Sequence, residues 1–358
     1  MSNSGENRSS ETKPRTRHYA DILNPLFWKE EFNNVDRLFE LVCTLVRAAG
    51  LQDTGWDSHH ESLELLADLR NLGDLDLPSE RFPTPQLTRA RLTLLSYSHV
   101  IEMNVPYELL ANLLRLRLGH KYAINPFSHL GTPIVRKTKQ GRVLRGVRPP
   151  SPEKKIKEIE RLSSEAEIPQ VGIALRGIYD SSIRNAVYHS DYALHQNSMR
   201  LLSGYRFSRK EGVQTPVIGF AELAEVTNEA FAFSALFALY ERVCCSFTDF
   251  KDSFLPFDSH YKGLLELSFD GDRLSGFRAY WPNGSLSLYS RTKEGCYAQN
   301  IRFEADGSIN FMVGILASTP SAFSPCVESG AEPVYAEVPG TTDRPYWPEQ
   351  LRAYKLPR

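Results

Sequence analysis

The spacing of apolar residues changes near Phe254, and this change constrains the fold more than any other feature of the chain. Before it, apolar residues recur at alternating intervals of three and four, most clearly in Leu223, Val226, Ala230, Phe233, Phe237, Tyr240 and Cys244. After it, they alternate with other residues, as in Leu265, Leu267 and Phe269. A period near 3.6 residues is typical of a helix, and a period of two is typical of a half-buried strand. We therefore expect an α+β fold, in which helices precede a C-terminal antiparallel β meander.

Turn signals support the meander. Three dipeptides that favour tight hairpins separate the alternating segments: Asp270-Gly271, Asn283-Gly284 and Asp306-Gly307. They predict about five antiparallel strands within residues 251–320. Aromatic residues on such a sheet can stack nucleobases, although they more often pack against neighbouring strands; the candidates are Tyr280, Tyr289 and Tyr297.

The length of 358 residues exceeds what one compact core usually holds, so several domains are expected. Residues 1–17 are polar and predict a disordered tail. An N-terminal helical region and a proline-containing linker follow over residues 18–85. Residues 86–250 are predicted to form a helical bundle with a basic loop at 134–150. The meander at 251–320 is followed by a proline-rich arm over residues 321–358.

Composition and charge exclude several classes of protein. The net charge of −1 provides no global field for nucleic acid, so any such binding must be local. The five cysteines include no Cys-x-x-Cys pair and are typical of reduced thiols in the cytoplasm. No apolar run approaches the roughly 18–20 residues of a membrane span. We therefore expect a cytoplasmic protein without a membrane partner. Motifs for nucleotide-binding loops, serine hydrolases and zinc proteases are absent from the sequence, so no cofactor or metal is expected.

The segment Ile183–Tyr192 carries the densest set of chemically active side chains. Arg184 has a planar guanidinium that matches two phosphate oxygens at once. His189 belongs to the residue type whose pKa, about 6.5, suits proton transfer near neutrality. On a helix, Asn185 and His189 share a face that Tyr192 continues, whereas Arg184 and His189 lie about 140° apart. Either Arg184 sits at a helix end, or a second copy of the segment completes the site.

The run Arg184-Asn185, three further residues and His189, followed by Ser190-Asp191-Tyr192, resembles the signature of HEPN domains. These are helical-bundle ribonucleases and ribonuclease-like binders, and the resemblance covers residues 86–250, under half of the chain. It implies a metal-independent endoribonuclease that cleaves single-stranded RNA, with Arg184, Asn185 and His189 as catalytic residues. It also implies a homodimer in which two motifs face each other. The implied role is phage defence, a toxin system or RNA processing, with an antitoxin or a regulatory protein as a possible partner.

A second candidate site is the basic run between residues 136 and 148, which contains no acidic residue. Nearby glycines and prolines favour an extended hairpin or loop rather than a helix. Such a run can bind phosphates without reading sequence, although a solvated loop is an equally good interpretation. The RNA-binding candidates are therefore Tyr192, Arg136, Lys137, Lys139, Arg142, Arg145 and Arg148.

Other interpretations of these residues remain open at this point. Arg184 and His189 can cap helices or pair with carboxylates such as that of Asp180 or Asp191. His99 and Glu102, one helical turn apart, can build a site with His189 or brace the bundle as a buried polar pair. The chain can accordingly be a ribonuclease, a HEPN-type module that binds RNA or a nucleotide without cutting, or a protein-interaction scaffold.

Overall fold

The computed structural model describes residues 6–27, 35–47, 58–138, 141–208, 214–252, 254–258, 262–280, 286–292, 295–303 and 309–311. Helices and strands both form large parts of this structure, which confirms the predicted α+β class. The predicted C-terminal arm at residues 321–358 lies outside the described residues.

Helices make up most of the regular structure, with short 3₁₀ turns at Asn24–Phe27, Ser128–Leu130 and Phe247–Phe250. In chain order the α-helices are α1 (Glu6–Leu23), α2 (Val35–Val46), α3 (Ser58–Asp74), α4 (Pro85–Glu102), α5 (Asn104–Arg117), α6 (Pro152–Glu165), α7 (Gln170–Gly177), α8 (Ser181–His189), α9 (Phe220–Phe233) and α10 (Ala235–Ser246).

The strands in the described ranges form five separate sheets. In chain order they are β1 (Thr132–Thr138), β2 (Gly141–Arg148), β3 (Tyr192–His195), β4 (Ser198–Leu201), β5 (Phe207–Ser208), β6 (Gln214–Thr215), β7 (Val217–Gly219), β8 (Phe254–Asp258), β9 (Lys262–Asp270), β10 (Arg273–Tyr280), β11 (Leu286–Thr292), β12 (Gly295–Gln299), β13 (Ile301–Phe303) and β14 (Ile309–Phe311).

The described residues fall into two compact units, each built from three chain segments. The first unit takes its residues from 1–23, 59–107 and 151–237, and the second from 24–58, 108–150 and 238–358. These units do not coincide with the consecutive segments predicted from the sequence. Two of the passages between the units lie inside helices, at residues 107–108 in α5 and 237–238 in α10, rather than in a connection between elements. The predicted linker at 74–86 instead joins α3 to α4 within the first unit.

The segment predicted as a disordered tail, residues 1–17, is helical from Glu6 onwards, where α1 begins. Arg15 forms an ion pair with Glu225 of α9 at 2.6 Å. The Tyr19 hydroxyl donates a hydrogen bond to Glu229 of the same helix at 2.7 Å. These contacts attach α1 to α9, and the polar composition of the segment did not reveal them.

The first unit is not purely helical, contrary to the predicted bundle. Strands β3, β4 and β7 form an antiparallel sheet after α8, and β5 pairs with β6. These strands are two to four residues long, which is too short to establish a period of two in the sequence.

Helices α6 and α7 approach each other closely at Gly172. A Cβ atom there would lie 2.7 Å from the Glu160 Cα, so a larger residue would fit only if the backbones of α6 and α7 moved apart. Arg176 of α7 donates to both carboxylate oxygens of Glu160, at 2.9 and 2.7 Å. This paired contact holds α7 in place immediately before the segment that leads into α8.

The second unit contains a five-stranded sheet whose neighbours are consecutive in the chain, from β8 to β12, and all antiparallel. Helix α2 packs on it, and the rings of Phe39 and Phe277 meet edge to face at 5.2 Å. The alternating pattern had not shown β8 and β12, and β13 pairs only with β14 in a separate sheet among the described strands.

The turn predicted at Asp270-Gly271 is confirmed: Asp270 pairs with Arg273, and Gly271 adopts a φ of +62°. The Asn283-Gly284 and Asp306-Gly307 turns lie outside the described residues, as does the side chain of Tyr297. Tyr280 and Tyr289 are buried, at 7% and 0% exposure, which agrees with the packing interpretation and leaves neither ring available to a nucleobase. They pack within the unit because Tyr280 lies on β10 and Tyr289 on β11, two neighbouring strands of the five-stranded sheet.

Helices α9 and α10 and the 3₁₀ turn after them span Phe220–Phe250, the one described helical stretch long and apolar enough to cross a membrane by length and composition. The apolar runs in the sequence had predicted no such stretch. Half of its most apolar window is buried, and the core helix of a soluble protein passes the same test of length and composition. Buried residues such as Leu223 and Phe233 account for the apolar composition.

Candidate functional site

Helix α8 carries the Arg184–His189 motif, and its first turn is held by hydrogen bonds. The Asp180 carboxylate accepts from the backbone N–H groups of Ser182 and Ile183 at 2.8 and 3.0 Å, as an N-cap residue does. The buried Tyr97 hydroxyl accepts from the Asp180 N–H at 2.6 Å and donates to the Ile178 carbonyl at 3.0 Å. Burial raises the pKa of Asp180, while the two capping N–H groups oppose that rise. The start of α8 is thus set by α4, which contributes Tyr97.

The end of α8 explains why one prediction failed. Ser190 adopts a left-handed conformation, with φ of 56°. The Asp191 N–H then reaches the Ala186 carbonyl at 2.9 Å, and the Ser190 N–H reaches the Val187 carbonyl at 3.3 Å. This pattern ends a helix and usually places glycine at the left-handed position. Because serine stands there instead, the sequence showed no stop signal, and Tyr192 was wrongly placed on the helix.

The nine-residue α8 buries Ile183 and Ala186 completely. At about 100° per residue, the motif side chains occupy a sector of about 140° that points away from these two residues. The face extends from Arg184 at one edge to His189 at the other. We call the following set the polar face of α8: Arg184, Asn185, Tyr188 and His189.

Arg184 is held by three neighbours. Its Nε donates a short hydrogen bond to the Glu102 carboxylate of α4, and its Nη1 donates to the Asn185 Oδ1 at 2.9 Å. The guanidinium carbon lies 4.9 Å from the centre of the Tyr188 ring. Burial disfavours the charge of Arg184, but the hydrogen bond and charge of Glu102 outweigh it and raise the pKa. The guanidinium therefore stays charged and keeps a defined orientation.

The Arg184 contacts leave part of its donor set available. A guanidinium has five N–H donors, and those on Nη2 make no hydrogen bond to any residue in the described ranges. The side chain is 25% exposed. With this access, the Nη2 N–H groups can donate to an anionic oxygen such as that of a phosphate.

His189 lies at the opposite edge of the polar face and is exposed. Its imidazole forms no hydrogen bond or ion pair with the residues whose positions are described. On the same helix, Arg184 and His189 are separated by about 140° and by about 7.5 Å along the axis. One copy of α8 therefore does not direct both groups at a single phosphate.

The alternatives for nearby polar residues are partly resolved. The carboxylate that pairs with Arg184 is that of Glu102, whereas Asp180 caps the helix. Glu102 is 28% exposed, so it does not form the buried pair with His99 that was expected. The His99 Nε2 is buried and lacks a partner among the described residues.

The charges of Arg184 and Glu102 affect the pKa values of three tyrosines. Burial is the largest cause that raises the pKa values of Tyr107, Tyr179 and Tyr188, and the negative charge of Glu102 adds to the rise for each. All three phenols consequently remain protonated near neutrality. They can donate hydrogen bonds, but they do not supply a base, so His189 is the proton-transfer candidate on this face.

The basic run forms the predicted hairpin, in which β1 pairs with β2 in antiparallel register. Thr132 is opposite Arg148 at one end, and Thr138 is opposite Gly141 at the other. It belongs to the second unit, whereas α8 belongs to the first, so it is not a loop of the motif-bearing bundle. Arg148 is exposed. Lys139 lies outside the described residues, and the side chains of the other four lie outside them as well: Arg136, Lys137, Arg142 and Arg145.

The contacts of Arg184 with Glu102 and Tyr188 were not predicted, although Glu102 was named with His99 as a possible neighbour of His189. Glu102 is 82 positions from its partner Arg184, so no local pattern links them. Tyr188 stands at i+4 from Arg184, and helical spacing alone was enough to place it on the same face. Tyr192, by contrast, is partly exposed on β3, where it pairs with Leu201.

No group of three or more histidine, cysteine, aspartate or glutamate side chains within the described ranges could hold a metal ion. No family model, curated protein or solved structure matches this chain.

Proposed function

We propose that this protein is a metal-independent endoribonuclease of the HEPN type that cleaves single-stranded RNA. The observation that carries the proposal is the polar face of α8. It presents a charged guanidinium, an amide and an exposed imidazole on one surface, while Glu102 and Asn185 hold the guanidinium in orientation. These groups suit a reaction at phosphate that uses no cofactor.

In the proposed reaction, the RNA 2′-hydroxyl attacks the adjacent phosphorus and the bond to the 5′-oxygen breaks. The products carry a 2′,3′-cyclic phosphate and a 5′-hydroxyl. His189 moves a proton to or from the reacting oxygens, a role worth about 10²–10⁴-fold in rate. Arg184 stabilises the negative charge that develops on the phosphorane oxygens through its Nη2 donors.

Asn185 acts first through its contact with Arg184. Its Oδ1 accepts from Arg184, so its carbonyl orients the guanidinium rather than the imidazole. Its amide N–H groups remain able to donate to a phosphate oxygen. We therefore assign Asn185 as a positioning residue that can also contact the substrate.

The separation of Arg184 and His189 makes a homodimer part of the proposal. Because the two groups diverge by about 140° on one helix, a single scissile phosphate needs Arg184 of one subunit and His189 of another. A dimer with two polar faces opposed meets this requirement. The HEPN resemblance suggests the same arrangement, together with a role in defence or in a toxin system restrained by a protein partner.

A second candidate function is binding of RNA or a nucleotide without cleavage. The pairing of Arg184 with Glu102 and its divergence from His189 within one chain favour it. A monomer with this geometry can hold a phosphate at Arg184 but cannot complete the reaction. A scaffold without an RNA role requires neither group.

A single experiment separates these functions. The full chain is incubated with labelled single-stranded RNA in EDTA, and cleavage, binding and molar mass by light scattering are measured together. We expect a dimer that yields 2′,3′-cyclic phosphate ends. Binding without cleavage supports the second candidate, and neither activity supports a scaffold. Strict dependence on a divalent metal contradicts the proposed mechanism.

A further inference from the structure

Tyr188 is a large aromatic residue that the protein leaves 55% exposed. Single exposed apolar residues are common on protein surfaces and need no special reason. The position of Tyr188 is what distinguishes it. On α8 it lies about 40° from Arg184 and about 100° from His189, so it stands between the two candidate catalytic groups.

The ring of Tyr188 is oriented by its neighbour. The Arg184 guanidinium carbon lies 4.9 Å from the ring centre, within the range of a cation–π contact. Glu102 and Asn185 hold this guanidinium, and its contact with the Tyr188 ring therefore fixes the position of the ring as well. A preoriented ring loses little conformational entropy when a flat group stacks on it.

The ring also suits a nucleobase chemically. Aromatic side chains stack on unpaired bases with little sequence preference, because every base has a π-face. In a nucleotide, one sugar separates the base from its phosphate. A guanidinium that binds the phosphate and a ring that adjoins the guanidinium therefore match the two ends of a single nucleotide.

We propose that Tyr188 stacks on the base of the nucleotide whose phosphate is bound by Arg184. This inference rests on the proposed RNA function and adds to it a substrate class: an unpaired strand of any sequence. Bases within a duplex are covered on both faces by their neighbours, so a double-stranded region cannot offer this contact.

The test measures fluorescence anisotropy of the full chain with a labelled single-stranded DNA oligonucleotide, which lacks the 2′-hydroxyl and is not cleaved. Tyr188→Leu removes the ring but keeps an apolar side chain, and Tyr188→Phe keeps the ring. We expect the leucine variant to bind on the order of tenfold more weakly and the phenylalanine variant to bind within about twofold of the parent. The control is Tyr205→Leu, a partly exposed tyrosine outside α8.

A second arm keeps the test independent of how well Tyr188→Leu folds. An oligonucleotide with abasic positions should bind the parent protein more weakly by the same factor, and the leucine substitution should then add no further loss. An abasic oligonucleotide that binds the parent as tightly as the ordinary one overturns the stacking role. A leucine variant of unchanged affinity does the same.

Three outcomes distinguish the stacking role of Tyr188 from the proposed RNA function and from a role at a subunit interface. If neither this DNA nor single-stranded RNA of the same sequence binds the parent protein, the RNA function itself fails, and the stacking role fails with it. If binding depends on Arg184 but not on Tyr188, only the stacking role is wrong. If Tyr188→Leu changes the molar mass by light scattering and leaves affinity per subunit unchanged, Tyr188 is an interface residue instead.

Discussion

The polar face of α8 and the β1–β2 hairpin both offer cations to a phosphate, but they hold them in different ways. On α8, Arg184 is fixed by a carboxylate, an amide and an aromatic ring. The hairpin carries six basic residues and no acidic residue between positions 136 and 148, on a sheet of two strands. One region has a single oriented charge, and the other has many charges in sequence.

This difference separates two kinds of recognition. An oriented donor stabilises charge at a defined point, which is what a reaction at phosphorus requires. A series of charges gives affinity that is sequence-independent and falls steeply with salt. We expect substitutions on α8 to change the rate of cleavage and substitutions in the hairpin to change affinity and its salt dependence.

The largest expected effect comes from the motif itself. Arg184→Ala and His189→Ala should each reduce cleavage of single-stranded RNA by at least about 10³-fold, since each removes a group with its own role in the transition state. Circular dichroism should show an unchanged fold. Matched controls are Arg200→Ala and His195→Ala, which remove exposed residues of the same types from the same unit. Equally large losses of cleavage in the two control variants would contradict the assignment of Arg184 and His189 as catalytic residues.

Glu102 gives the next largest effect. Glu102→Ala should lower kcat by about 10–100-fold, because the guanidinium is no longer held in place, and a small misplacement is costly. Affinity for an uncleavable oligonucleotide should not fall, since a competing carboxylate has gone. Glu102→Gln keeps a hydrogen-bond acceptor and should retain more activity. An increase in kcat on removing Glu102 would instead identify it as an inhibitory contact.

The hairpin should affect binding rather than chemistry. Replacing Arg136, Arg142 and Arg145 by glutamine should reduce the slope of log K against log salt by about one for each phosphate that the hairpin no longer neutralises. The rate at saturating RNA should stay unchanged. Lys154→Gln, an exposed lysine on α6, is the control. An unchanged slope would show that the hairpin does not contact RNA, which leaves α8 as the whole site.

The smallest expected effect concerns the end of α8. Ser190→Gly should increase the free energy of unfolding by about 0.5–1 kcal/mol, because glycine tolerates the left-handed conformation that serine adopts here. Urea denaturation measures the change. Asp180→Ala should decrease the same quantity by about 1 kcal/mol through loss of the N-cap. Destabilisation by Ser190→Gly would contradict the assigned helix end.

The sequence anticipated the features that depend on near neighbours. The alternation around Leu265 to Phe269, the turn at Asp270-Gly271 and the hairpin form of the basic run are all local patterns, and the structure has them. The outward presentation of Arg184 and His189 on a helix also follows from spacing. Local patterns failed where a special conformation had no glycine to mark it, as at Ser190.

By itself, then, the amino-acid sequence determined the helices and strands that carry a clear local pattern, and which side chains share a helix face, because both follow from residues a few positions apart. Only the tertiary structure decided what those faces meet. It paired Arg184 with Glu102 across 82 positions, attached a polar N-terminal segment to α9 through Arg15, and interleaved the chain into two units. Such contacts depend on packing between distant segments, and a single sequence carries no record of which distant side chains will meet.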